Sequence, residues 1–402
     1  MSSVRTATPQ TARAINDRIA LELLTEHGPL TASRLRELTG LSRPSVAELL
    51  GRLGRDGLVE IVGETGAERR GPNARVYGLA AGRAHVAALD VRVDGVELVL
   101  ADLAGATVAE RVLPLTGPDR PRGARGPEHP MVGVVLTALD GLGAAAGVTE
   151  LHTVVLGAPG LADPAGGIPP LSESLPGWHR ELLVALRRRL TAPVLLENEV
   201  NLAGIAEHRL GAVRDRDTFV LFWLGAAVGA AVVLDGTLRR GASGGAGEVG
   251  FLPVPGGEGL PSAHGCDGGF HGLTSAAAVR ALAARHGLPA EGAGLAGAEA
   301  LVRAAATADG GPAAAFLGEL ADRIALGAAA AVAVLDPGCV VLGGELGRAG
   351  GPVLARRVAD RLRELSPLAT EVRATTVGGN PILGGALLTA LAAARADLFG
   401  RD

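Results

Sequence analysis

Hydrophobic residues recur at helical spacing in three segments near the start of the sequence. In the first segment, residues 11–27, Ile15, Ile19 and Leu23 share one helical face, so the sequence predicts that this face is buried. A second helix is predicted to follow Thr31, whose hydroxyl group can accept a hydrogen bond from an N–H group of the first turn. A turn that contains glycine then leads to the third segment.

The third segment has the pattern of a helix that enters the major groove of DNA. Ser42 can cap this helix, and Pro44 is tolerated because it falls in the first turn. The outer face carries small polar residues and arginine near its N-terminal end, a composition that suits contact with base edges. The inner face consists of the apolar residues Val46, Leu49, Leu50 and Leu53, at positions i, i+3, i+4 and i+7.

Two short strands, at residues 58–62 and 75–79, follow the third helix and predict a wing. The loop between them contains two arginines, which can contact phosphate or the minor groove. The sequence therefore predicts a winged helix-turn-helix over residues 11–80; a small helical interaction domain with solvated arginines is the alternative. The predicted DNA contacts are Thr31, Ser33, Ser42, Arg43, Pro44, Ser45 and Arg52 on the helices and Arg69, Arg70 and Arg75 on the wing.

Strands alternate with helices along the rest of the sequence, and this alternation predicts an α/β body. Strands are predicted between residues 84 and 113, and also at residues 151–157 and 339–342. The stretch 290–312, rich in alanine and glycine, carries little information, and residues 117–130 are expected to form a mobile loop. The predicted helices span residues 181–190, 201–210, 276–286, 313–334, 352–365 and 382–398.

The length and the charge distribution fit a multidomain protein with a DNA-binding end. A chain of 402 residues is expected to form about two or three domains. The net charge is −4, but residues 1–80 contain 11 arginines and 9 acidic residues, so this part carries +2 and the remainder −6. The sequence contains no lysine, which excludes a Walker-type phosphate loop and a Schiff-base lysine.

The two cysteines, Cys266 and Cys339, imply no disulfide framework and fit a reducing compartment. The sequence opens with no charged-then-apolar signal peptide, and no uninterrupted apolar run of about 18 residues stands out. We therefore expect a cytoplasmic protein that has no membrane partner.

Four short motifs follow one another along the body of the sequence. They are Gly157-Ala158-Pro159-Gly160, Pro176-Gly177-Trp178, Glu197-Asn198-Glu199-Val200-Asn201-Leu202-Ala203 and Gly247-Glu248-Val249-Gly250. In order and spacing these motifs resemble the ROK family (repressors, open reading frames and sugar kinases) over roughly residues 84–395. Together with the N-terminal winged helix, they make the whole chain similar to ROK-type transcriptional regulators.

The resemblance implies an α/β fold of the actin-like ATPase (ribonuclease H-like) type, the fold of these sugar kinases, with two lobes and a sugar in the cleft. It places lobe 1 at residues 84–205, completed by the helix at 382–398, and lobe 2 at residues 206–380. Side-chain amides and carboxylates bind paired hydroxyl groups, and residues that follow a strand project where α/β sheets bind ligands. Each motif taken singly also fits an ordinary turn or strand end. The predicted ligand contacts are Pro159, Gly160, Asn198, Glu199 and Glu248.

Several residues depart from the pattern of ROK kinases. The kinases have an aspartate as general base where this sequence has Glu199, and such a displaced carboxylate can cost about 10²-fold in rate. The first phosphate loop is replaced by residues 90–94, which lack its glycines and end in Asp94. Residues 225–231 have alanine at two glycine positions of the second loop, whereas residues 341–344 retain the adenosine-side motif. We therefore expect no ATP binding, no kinase activity and no required cofactor.

The zinc motif of the family is also altered. Phe251 replaces the histidine that binds zinc and helps to hold the sugar, and Leu273 replaces a further glutamate. His264, Cys266 and His271 stand where the family has cysteines, and both residue types are competent zinc ligands. A structural site has four ligands, so the sequence leaves open whether these three bind zinc or ordinary contacts hold the loop. It also leaves open whether the ligand is an unusual sugar, another small molecule or none.

The sequence predicts a DNA-binding regulator, a repressor whose affinity for a double-stranded DNA operator is gated by a sugar or a sugar-like effector. We expect a homodimer or a homotetramer, with operator half-sites about 34–36 Å apart or a multiple of that distance. An effector can gate binding only if it binds two states of the protein unequally. The alternatives are a ligand-independent DNA-binding regulator and a sugar kinase with an accessory domain, against which the altered phosphate loops argue.

Overall fold

A computed structural model describes residues 9–64, 74–92, 95–114, 129–160, 177–257, 259–262, 265–289 and 292–400. The chain divides into two compact units. The first unit comprises Met1–Leu156, Pro176–Leu195 and Ala386–Asp402, and the second comprises Gly157–Leu175 and Leu196–Gly385. The lobe boundaries expected from the family resemblance stay a prediction, because this division follows packing alone.

A winged helix-turn-helix opens the first unit, as the sequence predicts. Its elements are α1 (Pro9–His27), β1 (Leu30–Thr31), α2 (Ala32–Thr39), α3 (Arg43–Arg55), β2 (Val59–Glu64) and β3 (Arg75–Leu79). The three strands form one sheet in the order β1-β3-β2. The helices enclose a small core that contains the predicted apolar stripe of α3, because Val46, Leu49, Leu50 and Leu53 are all buried.

Side-chain caps begin the second and third helices, as the sequence predicts. The Thr31 hydroxyl accepts a hydrogen bond from Arg34 N at 3.2 Å, and the Ser42 hydroxyl accepts one from Ser45 N at 3.3 Å. Each bond satisfies an N–H group that has no backbone partner within the first turn. The turn after α2 passes through Gly40, whose φ of 70° lies in the left-handed region that favours glycine. Local sequence signals therefore fix where both helices begin and where α2 ends.

The buried face of α1 differs from the predicted one. Ile15 and Ile19 are 51% and 37% exposed, so the expectation that they are buried is wrong. Asp17 lies on another face of this helix and forms an ion pair with Arg52 of α3, which turns that face toward the domain core. The buried residues on the face of Asp17, at i+3, i+4 and i+7 from it, are Ala20, Leu21 and Leu24.

The described residues between 85 and 198 form a five-stranded sheet and two helices. The elements are β4 (His85–Val91), β5 (Gly95–Asp102), β6 (Thr107–Pro114), α4 (Pro130–Ala146), β7 (Thr153–Ala158), α5 (Gly177–Arg189) and β8 (Val194–Asn198). The strand order is β6-β5-β4-β7-β8, and the pairs β4–β5 and β5–β6 are antiparallel. β4 and β7 are buried along almost their whole length, which explains their near-continuous apolar sequences.

A second five-stranded sheet has the same topology: its first three strands lie side by side in reverse chain order, and the last two strands follow beside the first. The elements are α6 (Glu199–Leu210), β9 (Phe219–Leu224), β10 (Val228–Leu234), β11 (Thr237–Leu238), α7 (His271–Thr274), α8 (Ala276–Arg285), α9 (Gly294–Ala306), α10 (Gly311–Leu335), β12 (Cys339–Gly343), α11 (Gly344–Leu365) and β13 (Glu371–Ala374). The order β11-β10-β9-β12-β13 joins three antiparallel strands to two parallel ones. The two sheets confirm the predicted α/β body and form a structural repeat within it.

Two helices of the second unit depart from the sequence-based prediction. The stretch 290–312 contains α9, because alanine favours the helical backbone even where no polar pattern marks a face. α11 begins at Gly344, well before the predicted start at residue 352. Its backbone bends at Gly351, with φ 52° and ψ −150°, directly before Pro352, and this bend explains why the pattern predicts only the later half.

The last helix, α12 (Pro381–Leu398), passes from the second unit into the first. Among the described helices it is the one whose length and composition would allow it to cross a membrane. At its end, Arg395 donates a hydrogen bond to Leu103 O at 2.8 Å, and Phe399 packs against the core of the winged helix. Like a core helix, it has buried residues along its length, which are Ile382, Ala386, Ala390, Leu391 and Ala394.

A close contact at Gly385 provides a test of the packing of α12 in the second unit. A Cβ atom at Gly385 would lie 1.9 Å from Leu202 O of α6, so Gly385→Ala must displace one of the two helices. We expect a loss of about 1–3 kcal/mol in stability, seen by calorimetry as a lower Tm. Gly384→Ala is the matched control, since no atom lies within 4 Å of its Cβ position and alanine favours a helix. Equal Tm values for the two variants would contradict this packing.

Candidate functional site

Exposed polar residues at the N-terminal end of α3 form the candidate DNA-reading surface. Arg43, Pro44 and Ser45 occupy the first turn of α3 and are exposed, next to the exposed cap Ser42. The positive end of the helix dipole at this turn favours a phosphate group. Ser33 on α2 is exposed as well. The structure therefore leaves these five predicted residues accessible to DNA.

Arg52, which the sequence also predicts to contact DNA, is held by two carboxylates. Its Nη2 lies 2.7 Å from Asp17 Oδ1, its Nε lies 3.3 Å from Asp17 Oδ2, and its Nη1 lies 3.1 Å from Glu48 Oε1. The hydrogen bond to Asp17 raises the pKa of Arg52 above its ordinary value. This bidentate pair joins α3 to α1 and leaves the Arg52 side chain 22% exposed. A contact between Arg52 and a DNA base would have to compete with the Arg52–Asp17 pair. This contact stays a prediction.

The wing and the cap of α2 supply the remaining predicted DNA contacts. Arg75 begins β3 opposite Glu64 and is exposed. Arg69 and Arg70 lie outside the described residues, so their contacts with DNA stay predictions. The Thr31 hydroxyl already serves as the cap of α2, which gives this residue a structural role.

The predicted ligand residues Gly160 and Asn198 are joined by a hydrogen bond. Asn198 ends β8 and caps α6, since its Oδ1 accepts hydrogen bonds from Val200 N at 2.8 Å and from Asn201 N at 3.1 Å. Its Nδ2 donates to Gly160 O at 2.8 Å. These bonds place the turn after β7 beside the start of α6, and Pro159 is part of that turn. Among the described residues, Gly160 O is the one acceptor of the Asn198 amide, so its second hydrogen can bind a ligand.

Glu197 belongs to the third motif but not to the predicted ligand contacts, and its carboxylate is buried next to Asn198. Glu197 is 5% exposed, and its Oε1 accepts hydrogen bonds from Asn198 N and Asn201 Nδ2, both at 2.9 Å. Its Oε2 accepts a bond from Arg240 Nε at 2.6 Å. A buried charge needs such partners, because its loss of hydration is otherwise not offset. The signal in the sequence was a glutamate at an inward position of an apolar strand, but nothing local identified Arg240.

Glu248 stands in a glycine-rich loop that contacts β10. Ala230 N donates a hydrogen bond to Gly247 O at 2.7 Å, and a Cβ atom at Gly247 would lie 1.9 Å from Ala230 O. Next to Ala230, Gly229 is in contact with Val200 in the first turn of α6, where a Cβ atom would meet the Val200 side chain at 3.2 Å. The Glu248 loop and the turn of α6 that begins with the half-buried Glu199 therefore both contact β10.

The Glu248 carboxyl group is available to a ligand. No described residue forms a hydrogen bond or an ion pair with this side chain, and the packing around it raises the pKa of Glu248 above its ordinary value. A carboxyl group in such a setting gains most from a ligand that supplies hydrogen-bond donors.

Trp178 of the second motif is a packing residue. It is 3% exposed, stacks on His129 with ring centroids 5.5 Å apart and meets the edge of His179 at 4.6 Å. Burial lowers the pKa of His179 to about 3, so this histidine is neutral in the core. The motif therefore contributes to the core of the first unit.

Two of the three predicted zinc ligands lie near one another. A Cβ atom at Gly250 would lie 3.5 Å from the Cβ of His271 and 3.9 Å from the Cβ of Cys266. Burial raises the pKa of the Cys266 thiol, and this opposes the thiolate form that binds zinc. His264 lies outside the described residues, and within the described ranges no three residues are grouped as a metal site. Two donors do not make a four-ligand zinc site, and the zinc site stays a prediction.

The residues at the expected nucleotide side have structural roles. Gly344 has a φ of +74°, and a Cβ atom there would lie 2.4 Å from Leu224 O, so packing alone requires this glycine. Glu345 stands in the first turn of α11, with Oε2 2.5 Å from the position of a Cβ atom on Gly225. Gly225 N donates to Ala227 O at 3.1 Å, so the first N–H group of the loop is bonded internally. Asp94 of the other expected phosphate loop lies outside the described residues.

Known proteins similar to this chain include regulators and kinases. The xylose repressor of Bacillus subtilis (strain 168) is 25% identical over 244 residues, which make up 60% of this chain and 61% of the repressor. A crystal structure of a ROK family transcriptional regulator, described as a homologue of the E. coli MLC protein, matches with a TM-score of 0.73 and 19% identity. That match covers 96% of this chain and 98% of the regulator.

The ROK hexokinase of Thermus thermophilus matches with a TM-score of 0.61 and 24% identity, over 77% of this chain and 98% of the enzyme. These similarities confirm the expected fold, a winged helix-turn-helix followed by a sugar-kinase-like body of the actin-like type. A family model for winged helix-turn-helix DNA-binding domains matches residues 13–60. The model of the ROK family matches residues 86–392, which is more than half of the chain. The chain therefore belongs to the ROK family.

Proposed function

We propose that this protein is a DNA-binding transcriptional regulator, a repressor that binds a palindromic double-stranded operator and responds to a sugar-like effector. The observation that carries the proposal is the exposed first turn of α3, with Arg43 and Ser45, in a winged helix joined to a ROK body. The similarity to a xylose repressor supports it. Two-fold symmetric operators require two copies of α3, so the protein acts as a homodimer or a homotetramer.

The geometry around Asn198 supports a polyhydroxyl effector. No described residue forms a hydrogen bond or an ion pair with the Glu248 side chain, and among the described residues the Asn198 amide has one hydrogen not used in a bond. Glu199 follows Asn198 as the first residue of α6. Carboxylates accept hydroxyl donors, and an amide hydrogen binds a hydroxyl or ring oxygen. The effector changes operator affinity to the extent that it binds one of two states of the protein more tightly.

The absence of kinase activity is part of the proposal. Glu345 brings a negative charge against the Gly225 loop, and the internal bond of Gly225 removes an N–H group that a phosphate would need. With ATP and a panel of hexoses, we expect ADP release no faster than in a protein-free blank, with the hexokinase of Thermus thermophilus as positive control. Turnover above the blank would favour the second candidate, a sugar kinase with an accessory domain.

A ligand-independent regulator is the other alternative, and two residues favour it. The family resemblance places a sugar-binding histidine at Phe251 and a glutamate at Leu273. Phe251 is 40% exposed and Leu273 is buried, so neither supplies a polar contact to a ligand. A site without two of its polar partners binds hydroxyl groups less selectively.

Substitutions along α3 test the DNA-reading surface. We expect Arg43→Ala to weaken specific operator binding by about 1–3 kcal/mol, measured by fluorescence anisotropy at fixed salt, with no change in Tm. Arg55→Ala removes the same charge at the other end of the helix and serves as the control. Arg52→Ala is expected to lower the Tm, because Asp17 loses its partner. Equal operator affinity for the Arg43 and Arg55 variants would remove Arg43 from the reading surface.

Selection of bound fragments from random DNA, followed by affinity measurements with a panel of sugars and sugar phosphates, tests the regulator as a whole. We expect the selected DNA sequence to be palindromic and the affinity of the protein for it to change with one sugar. We expect Glu248→Ala to abolish that change. Asp267→Ala is the matched control, since its side chain is 96% exposed close to the same loop. If no sugar changes the affinity of the protein for the selected DNA, the result would support the ligand-independent alternative. A response that survives Glu248→Ala would place the pocket elsewhere.

A further inference from the structure

An ion pair connects Arg240, in the segment that leads to Glu248, with Glu197 of β8, whose carboxylate also accepts a hydrogen bond from Asn201 of α6. We propose that Arg240 is a positioning residue of the effector site, whose ion pair with Glu197 fixes the Glu248 loop against the first turn of α6. The inference rests on the proposed function, because it assigns Arg240 a role in the same sugar-like site. Neither the sequence motifs nor the family resemblance pointed to this residue.

The side chain of Arg240 connects the two parts of the site. Arg240 Nε donates to Glu197 Oε2 at 2.6 Å, and the other oxygen of Glu197 holds Asn198 N and Asn201 Nδ2. Asn198 in turn holds Gly160. One hydrogen-bonded series therefore runs from Arg240 through Glu197 to the predicted ligand contacts Asn198 and Gly160.

The backbone of Arg240 holds the other end of its loop. Ala246 N donates to Arg240 O at 3.0 Å, which closes residues 240–246 into a compact turn two residues before Glu248. A displacement of Arg240 therefore displaces the residues that lead to Glu248 as well. Through its ion pair and this backbone bond, Arg240 therefore connects the residues that lead to Glu248 with Glu197 and Asn198.

The composition of the loop at residues 241–247 explains why its position depends on a specific contact such as the Arg240–Glu197 ion pair. Residues 241–247 include four glycines, and three of them, Gly241, Gly244 and Gly247, have φ values of 75°, 79° and 94°. A glycine-rich segment loses much conformational entropy when it is ordered, so the position of Glu248 depends on specific anchors. A binding group is effective only when it is held to within about 0.5 Å of its productive position.

Buried charge makes this anchor strong. Glu197 is 6% exposed at its side chain, whereas the Arg240 side chain is 40% exposed, so the pair is shielded on the carboxylate side. The pair is stronger than an exposed one, because solvent screens it less. Removal of Arg240 leaves a buried carboxylate without its cation, and the carboxylate and the loop are expected to rearrange together.

The test compares Arg240→Gln with Arg239→Gln in the full-length protein. Arg239 is the adjacent arginine, its side chain is 48% exposed, and its nearest carboxylate, Asp235, lies 3.8 Å away. The two variants therefore remove the same charge from neighbouring positions. The probes are D-xylose, D-glucose and N-acetyl-D-glucosamine, and the response is the sugar concentration that gives half of the change in operator affinity.

Two readouts separate positioning from general stability. Hydrogen exchange at the Ala246 and Glu248 amides, without sugar, reports the order of the loop, and we expect it to be about tenfold faster or more in Arg240→Gln. The half-maximal sugar concentration is expected to rise by about tenfold or more, the effect of one charge-assisted hydrogen bond. Arg240→Lys keeps the charge and is expected to restore part of both effects. Arg239→Gln is expected to match the wild type in both.

Results that would overturn the positioning role of Arg240 can be distinguished from those that would overturn the proposed function. A lower Tm for Arg240→Gln without a change in the half-maximal concentration would show a purely structural role and overturn the inference. If Arg240→Gln does not fold, Glu197→Gln combined with Arg240→Gln removes both charges and is measured in its place against the same two criteria. A wild-type protein that responds to none of the three sugars while it binds its operator would contradict the proposed gating itself, and the positioning role with it.

Discussion

The site depends on one buried negative charge, the carboxylate of Glu197. Removed from water, this group must be surrounded by donors, and the chain supplies them from β8, from α6 and from the loop after β11. The loop after β11, 43 residues further along the chain, is therefore brought to the junction of β8 and α6. The turn at Gly160 is added through Asn198, which is itself oriented by its bonds to the start of α6. The predicted ligand residues stand on this framework.

The body has a sugar-kinase-like fold, and residues at its expected nucleotide side make contacts within the protein. Gly225 bonds within its own loop, Glu345 lies against that loop, and the glycine at position 344 is required by the neighbouring strand. The internal bond of Gly225 removes one N–H group that a phosphate would otherwise meet. A binding protein can retain the hydroxyl-binding side of a kinase site in this way, because sugar recognition and phosphate recognition use separate groups. This separation is the physical basis for the proposed regulator.

Local signals predicted the winged helix well, because the caps at Thr31 and Ser42 and the apolar stripe of α3 depend on residues close in sequence. The order of the ROK motifs likewise predicted the α/β body. The buried face of α1 was missed because the helix carries two apolar stripes, and the pairing of Asp17 with Arg52, 35 residues away, is not visible in the local pattern. The partner of Glu197 was missed for the same reason, since Arg240 is 43 residues away. Long-range pairing of charges leaves no periodic pattern in a sequence.

The contact of Phe399 with the core of the winged helix has a consequence for biosynthesis. Every other described residue in or against that core lies between Ala20 and Leu79, so most of this core can form early, as the nascent chain leaves the ribosome. Its last partner is synthesised more than 300 residues later. During that interval the part of the surface that Phe399 covers is open to chaperones or to other nascent chains. The DNA-binding domain therefore reaches its final packing only when the body of the protein has been made.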